Sequence, residues 1–198
     1  MKFSQFEIKD LFIAGFMISL AFAILFSGGY DINFSSGSLI KVFLIAFFTA
    51  GVGFLLHELA HKLIAQRYGL RAEFRAFYPM LWLALVFSFF GFIIAAPGAV
   101  FISGLITKER NGKISIAGPV TNIILSVIFF LLILISGIKT GMFADFLSYG
   151  LKINSLLAAF NMIPAMPFDG AKVIKWSKTI YFITLTIAVG LFFVSFLF

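Results

Sequence analysis

Apolar residues run along this chain in six blocks, 11–27, 39–56, 78–103, 117–136, 146–163 and 180–198, separated by short polar stretches that carry most of the charge. Each block is near or above the length a helix needs to cross about 30 Å of hydrocarbon at about 1.5 Å per residue. The pattern predicts an all-α polytopic membrane protein: a bundle of five to six transmembrane helices with a short re-entrant or β-hairpin segment. The first block follows Lys2 and Lys9 and has the outline of a signal peptide, with Ser27, Gly28 and Gly29 as a cleavage region. No good small-x-small site follows it, and 17 residues suffice to cross, so it reads as a span. No polar linker or low-complexity stretch divides the chain, which predicts a single membrane-embedded domain over 1–198. Its core would lie at about 39–178, with flanking helices 11–27 and 180–198.

The distribution of cations bears on the path. If the N-terminus is inside and every block crosses once, Lys and Arg divide seven to seven, against the positive-inside tendency. If 78–103 enters and returns to the same face, broken near Gly91 and the "APG" at 96–98, the inner side holds twelve. The outer side then holds two, Lys41 and Lys139, with Lys152 inside a helix. That asymmetry is the expected one and gives a cytoplasmic N-terminus in a cell membrane. Non-helical backbone at membrane depth is tolerated where protein or a wet cavity covers it, so 78–103 is expected to line a pocket. "AVFIS" (99–103) and "KISI" (113–116), separated by "TKERNG", predict two short strands joined by a turn. The competing expectation is an ordinary crossing helix followed by a basic outer loop.

Composition agrees with the blocks and removes some chemistry. Of the 198 residues 62% are hydrophobic and 12% charged, far from the balance of a soluble domain. The net charge of +7 comes from basic residues scattered between apolar blocks, which marks topology and not a nucleic-acid partner. With no cysteine, disulfides and thiolate ligands are excluded. Any metal must be held by imidazole, carboxylate or water.

The second block ends in "FLLHELAHKL", residues 54–63, which contains the only two histidines. His57 and His61 are four apart, so a helix sets both on one face where they can share an ion, and Glu58 can reach a water on that ion. This is the HExxH pattern of zinc hydrolases. Imidazole suits zinc, and the adjacent carboxylate serves as general base. A chance pair of surface histidines is the bland alternative, but ionisable groups at this depth are costly unless they serve a function. A third ligand should be a carboxylate. Glu7 and Asp10 precede the first span, Asp31 and Asp145 fall on the outer side, and Glu73 and Glu109 lie in charged stretches. Asp169 lies within "NMIPAMPFDG" (161–170), where Pro164 and Pro167 interrupt any helix and Gly170 permits a sharp turn, so it can be aimed inward. The alternative for Asp169 is a helix cap. By helix length, His57 sits roughly 25 Å below the outer edge. Only the twelve-to-two topology sets His57, Asn122, Asn161 and Asp169 at one level, with Asn122 about five residues inside a helix beginning at 117.

HExxH in a membrane helix, followed about a hundred residues later by Asn-x-x-Pro-x-x-Pro-x-Asp-Gly, resembles the site-2 protease family of intramembrane zinc metalloproteases. The resemblance covers about Leu39 to Lys178. It implies zinc, one ion per chain, held by His57, His61 and Asp169, with Glu58 as catalytic base. It further implies that Asn161 meets the substrate carbonyl or its oxyanion, and that Asn122, in a Gly-Pro-x-x-Asn element, stands near the same site. The implied substrate is a transmembrane segment of another membrane protein, held extended by a β-hairpin; the strands near 99–116 are the candidate. Phe168 departs from the family's common leucine, and there is no room for a regulatory PDZ or CBS domain, so selection would fall to the membrane core. Water would reach the site from the inner face, with Gly51 and Gly53 allowing close helix packing. A metal-binding membrane protein, such as a zinc transporter or an inactive relative, is the rival reading. Transport would call for ionisable groups at several depths, whereas these residues form one cluster.

Overall fold

The computed structural model describes residues 1–28, 36–93 and 97–198; Gly29, Asp31 and Ala96, which enter the sequence reading, lie outside the described residues. The chain runs α1 (Gln5–Phe26), α2 (Ser36–Ala46), a π-helical turn (Phe47–Gly51), α3 (Val52–Arg67), β1 (Arg71–Ala76), α4 (Tyr78–Phe89), β2 (Gly98–Ser103), α5 (Lys108–Ser136), α6 (Met142–Asn161), α7 (Gly170–Trp176), α8 (Lys178–Val194) and a final 3-10 turn, Ser195–Leu197. Among the described residues four helical stretches are long and apolar enough to cross a membrane: Gln5–Phe26, Leu39–Arg67, Lys108–Ser136 and Lys178–Leu197. The protein is thus a helical membrane protein with a two-stranded sheet, β1 paired with β2. Four such stretches fall short of the expected five to six. The block at 146–163 forms α6, whose 20 residues suffice in length but include Asp145, Lys152 and Asn154.

The block at 78–103 is not one crossing helix. Its helical part, α4, has 12 residues, about 18 Å, and ends just before Gly91, whose φ of +84° only glycine adopts freely. The later part forms strand β2, as "AVFIS" predicts. The second predicted strand is overturned: "KISI" (113–116) lies inside α5, and the partner of β2 is β1, a charged stretch in which Arg71, Glu73 and Arg75 alternate with Ala72, Phe74 and Ala76 and which the sequence reading passed over. Helix wins there because Thr107 caps it, accepting from the Arg110 amide, and Glu109 sits in the first turn and pairs with Lys113. Gly112 is not a turn residue, since a side chain there would strike the Trp176 ring. Helix α5 therefore starts nine residues before the expected 117, and Asn122 lies about 21 Å along it.

The chain divides into two compact units, residues 1–55 with 73–101 and residues 56–72 with 102–198. In the first, α1 packs on α2, the π-helical turn and α4. Any side chain at Gly51 would collide with Ser19, which accounts for a small residue at that crossing. The N-terminal end of α1 grips β1: Glu7 accepts from the Phe74 amide at 2.9 Å, and Asp10 accepts from the Ala76 amide at 3.1 Å and the Tyr78 hydroxyl at 2.6 Å. In the second unit, α5 packs on α6, α7 and α8. Arg110 lies over the Tyr68 ring, 5.4 Å from its centroid, and Gly112 meets Trp176. These contacts gather the basic stretches after α3, at the start of α5 and around α7, the three that the charge count sets on one side. Lys62, counted among those cations, is fully buried in α3. Lys152 rests its ammonium 4.7 Å from the Phe196 ring centre.

Candidate metal centre

Every residue of the site belongs to the second unit. Helix α3 carries His57 and His61 one turn apart, both buried, with their rings edge-on and centroids 4.7 Å apart. After Asn161, α6 stops, and Pro164 and Pro167 keep residues 162–169 out of helix until α7 begins at Gly170. The loop folds back on the helix it left. Phe168 packs edge-on against Phe160 at 4.9 Å, and a side chain at Gly170 would strike the Met162 carbonyl. Glycine is required at 170 by that close approach and not by a turn, since its φ is not positive.

The return sets the Asp169 carboxylate against both imidazoles. Its Oδ2 lies 3.0 Å from His61 Nε2 and 3.4 Å from His57 Nε2, and its Oδ1 lies 3.4 Å from the Lys172 ammonium. His57, His61 and Asp169 can each offer one ligand atom, all within 4.8 Å of one another. The opposite edge of each ring is fixed. His61 Nδ1 pairs with the Ile114 carbonyl at 2.8 Å, and His57 Nδ1 pairs with Asn122 Oδ1. A carbonyl oxygen can only accept, so both Nδ1 atoms carry the hydrogen and both Nε2 lone pairs face Asp169.

Gly118 clears the space in front of them. A Cβ at 118 would collide with Nε2 of both histidines, so the Gly-Pro turn of α5 leaves room where the two lone pairs converge. Two oriented imidazole nitrogens, one carboxylate oxygen and an open cradle fit a tetrahedral zinc site with one position left over. Glu58, buried beside His57 on α3, is within reach of that position in sequence terms and is no part of the ligand cluster.

No family model matches the chain, and no solved structure matches it. Curated proteins do. One from Methanocaldococcus jannaschii, named "Putative zinc metalloprotease MJ0611", is 45% identical over 183 residues, covering 91% of this chain and 89% of that protein. The chain belongs to this family of zinc metalloproteases. It is therefore a zinc-dependent hydrolase, and the ion for which its two histidines and aspartate are arranged is zinc. A second M. jannaschii protein, "Zinc metalloprotease MJ0392", is 30% identical over 132 residues, 66% of this chain and 33% of that protein. A Bacillus subtilis protein, "Putative zinc metalloprotease YwhC", is 30% identical over 141 residues, covering 63% of this chain and 64% of its own.

The cluster gathers three of the six residues singled out in the sequence, His57, His61 and Asp169, with Asn122 directly behind His57, while Glu58 is buried next to His57 on α3. Asn161 stands apart: half-buried at the end of α6, it donates to its own helix at Leu157 O, 2.9 Å away, and hydrogen-bonds none of the three ligand residues. Sequence reasoning missed Asn154, fully buried on α6, whose Oδ1 accepts from Asn122 Nδ2 at 2.9 Å. The signal was available, since an asparagine in the middle of a membrane helix needs a partner.

Proposed function

We propose that this protein is an intramembrane endopeptidase that hydrolyses a peptide bond within the transmembrane segment of another membrane protein. The observation that carries the reading is the convergence of His57, His61 and Asp169 within one buried cluster, whose histidines stand on the helical stretch Leu39–Arg67, long and apolar enough to span a bilayer. Such a site is reached by a substrate that shares the membrane.

Zinc, when bound, acidifies its water and polarises the scissile carbonyl. The chain's own residues supply the rest. Glu58 accepts a proton as the water oxygen bonds to the carbonyl carbon, and returns it to the nitrogen as the C–N bond breaks, leaving a carboxylate and an amine. His57 and His61 keep their Nδ1 hydrogens on Asn122 and Ile114, which leaves each Nε2 to the metal. Asn161 at the end of α6 gives one amide hydrogen to Leu157 O, and its second is assigned to a substrate carbonyl. The substrate has to be extended at the cut, since a helix hides its carbonyls in internal hydrogen bonds. The N-terminus, with the stretches Lys62–Arg71, Lys108–Lys113 and Lys172–Lys178, is assigned to the cytoplasmic side of the cell membrane by the charge asymmetry.

Glu58→Ala tests the reading. Zinc content should stay at one per chain while cleavage of a model transmembrane substrate falls by roughly 10²–10⁴-fold, both measured on one preparation. Undiminished cleavage overturns the protease assignment. Zinc transport into vesicles that survives Glu58→Ala, with no cleavage by the parent protein, establishes the transporter instead.

A further inference from the structure

We propose that Lys172 is a positioning residue: by holding Asp169 Oδ1 it leaves Oδ2 alone to the zinc and keeps the fourth position of the ion open for water. The proposal rests on the reading in which Glu58 works on that water, and does not depend on where the protein finds its substrate.

A carboxylate has two oxygens, and a metal can take one of them or both. The difference determines whether the site can be catalytic. Two imidazoles and one carboxylate oxygen supply three ligands of a tetrahedral ion and leave a place for water, whereas two imidazoles and both oxygens supply four and close it. In this protein the two oxygens are divided. Oδ2 lies 3.0 Å from His61 Nε2 and 3.4 Å from His57 Nε2, while Oδ1 meets the Lys172 ammonium at 3.4 Å. Among the described residues no other donor reaches Oδ1.

Local structure explains why a lysine side chain has this task. Asp169 opens α7, where an aspartate ordinarily turns its carboxylate onto the first amides of the helix. This one does not. Its side chain caps no amide, and the amides of Lys172 and Val173 bond its backbone carbonyl instead, at 2.9 and 3.0 Å. The carboxylate is thus released from its own helix, and the lysine three residues on lies along the same face. Val173, buried with Met162 and Tyr181, anchors α7 and with it the lysine. The Lys172 side chain is 32% exposed and that of Asp169 11%, so the ammonium keeps part of its hydration while it reaches a shielded carboxylate.

The test uses the full chain in detergent, loaded with zinc or with cobalt. Imidazole, small and uncharged at alkaline pH, probes the open position and is read from the absorption bands of the cobalt protein. Lys172→Met frees Oδ1 to join Oδ2 on the metal. Zinc affinity should change by no more than about fivefold, since the ion keeps all three residues. The cobalt bands should shift, imidazole should bind roughly 10–100-fold more weakly, and cleavage of a model transmembrane substrate should fall by a similar factor, the range typical for partners of metal ligands. Lys172→Arg keeps a donor for Oδ1 and should stay nearer to the parent in every readout. Lys175→Met, which removes an exposed cation of the same helix, should change none of them. Lys172→Ala gives the same reading if the methionine variant does not fold. Unchanged imidazole binding and cobalt bands in Lys172→Met, an Arg variant as poor as the Met variant, or equal losses in Lys175→Met would each overturn the proposal. A parent protein that binds imidazole but cleaves nothing would overturn the protease reading alone, because the metal readouts judge the Asp169 carboxylate without a substrate.

Discussion

The two units draw on the same small stock of acidic residues, eight in the whole chain, and bury them to different ends. In the first unit Glu7 and Asp10, on the opening turns of α1, face the backbone amides of Phe74 and Ala76. Successive residues of a strand point their amides to opposite edges, and Phe77 donates to Pro97 O beside β2, so the carboxylates that meet residues 74 and 76 finish the edge of β1 that β2 does not use. In the second unit Asp169 faces two imidazole nitrogens with bare lone pairs. Burial alone does not separate these cases: Asp10 and Asp169 are equally shielded. The partner does. A carboxylate met by amide and hydroxyl donors is satisfied and structural, whereas a carboxylate oxygen that faces two bare lone pairs, as Asp169 Oδ2 does, calls for a cation between them.

Substitutions can break that contrast. The largest effect should come from Gly118→Ala, since the added Cβ fills the space before both Nε2 atoms: zinc content should fall to background in a protein that still folds, as metal analysis and gel filtration would show. Normal zinc in this variant would mean that the ion does not sit in front of those nitrogens. Asp169→Ala should follow, with zinc affinity lowered by about 100-fold or more, beyond the range for a mere neighbour of a ligand. Asp10→Ala should leave zinc affinity unchanged but cost about 1–3 kcal/mol of stability, because the Ala76 amide loses its acceptor. Faster hydrogen exchange confined to Ala76 and its neighbours on β1 would locate that loss; weakened zinc binding would dissolve the distinction between the two acids. The smallest effect belongs to Lys172→Met. Its ammonium is a third exposed and 3.4 Å from Asp169 Oδ1, so removing it should cost about 1 kcal/mol or less, up to about fivefold in zinc affinity by competition titration.

Much of the metal centre was legible because its chemistry permits few residue types. A chain without cysteine and with two histidines four apart leaves a carboxylate as the third ligand, and the prolines before Asp169 mark where a helix must end. The apolar blocks likewise determined a helical membrane protein, since backbone groups in lipid have to be satisfied within each segment. Tertiary structure decided what depends on a neighbour distant in sequence. Gly112 and Gly170 read as turn residues by local rules, yet each is small because Trp176 or the Met162 carbonyl lies against it. The strand at β1 alternates over only six residues, three of them charged, and is held because β2 lies on one edge and the carboxylates of α1 on the other. Asn122 was drawn to the site by its motif, but its task, accepting the hydrogen of His57, appears only when α3, α5 and α6 are packed together. Sequence determines which groups can bind a metal, because that is a property of single side chains; which lone pair faces it is a property of hydrogen-bonded pairs, and pairs are made by the fold.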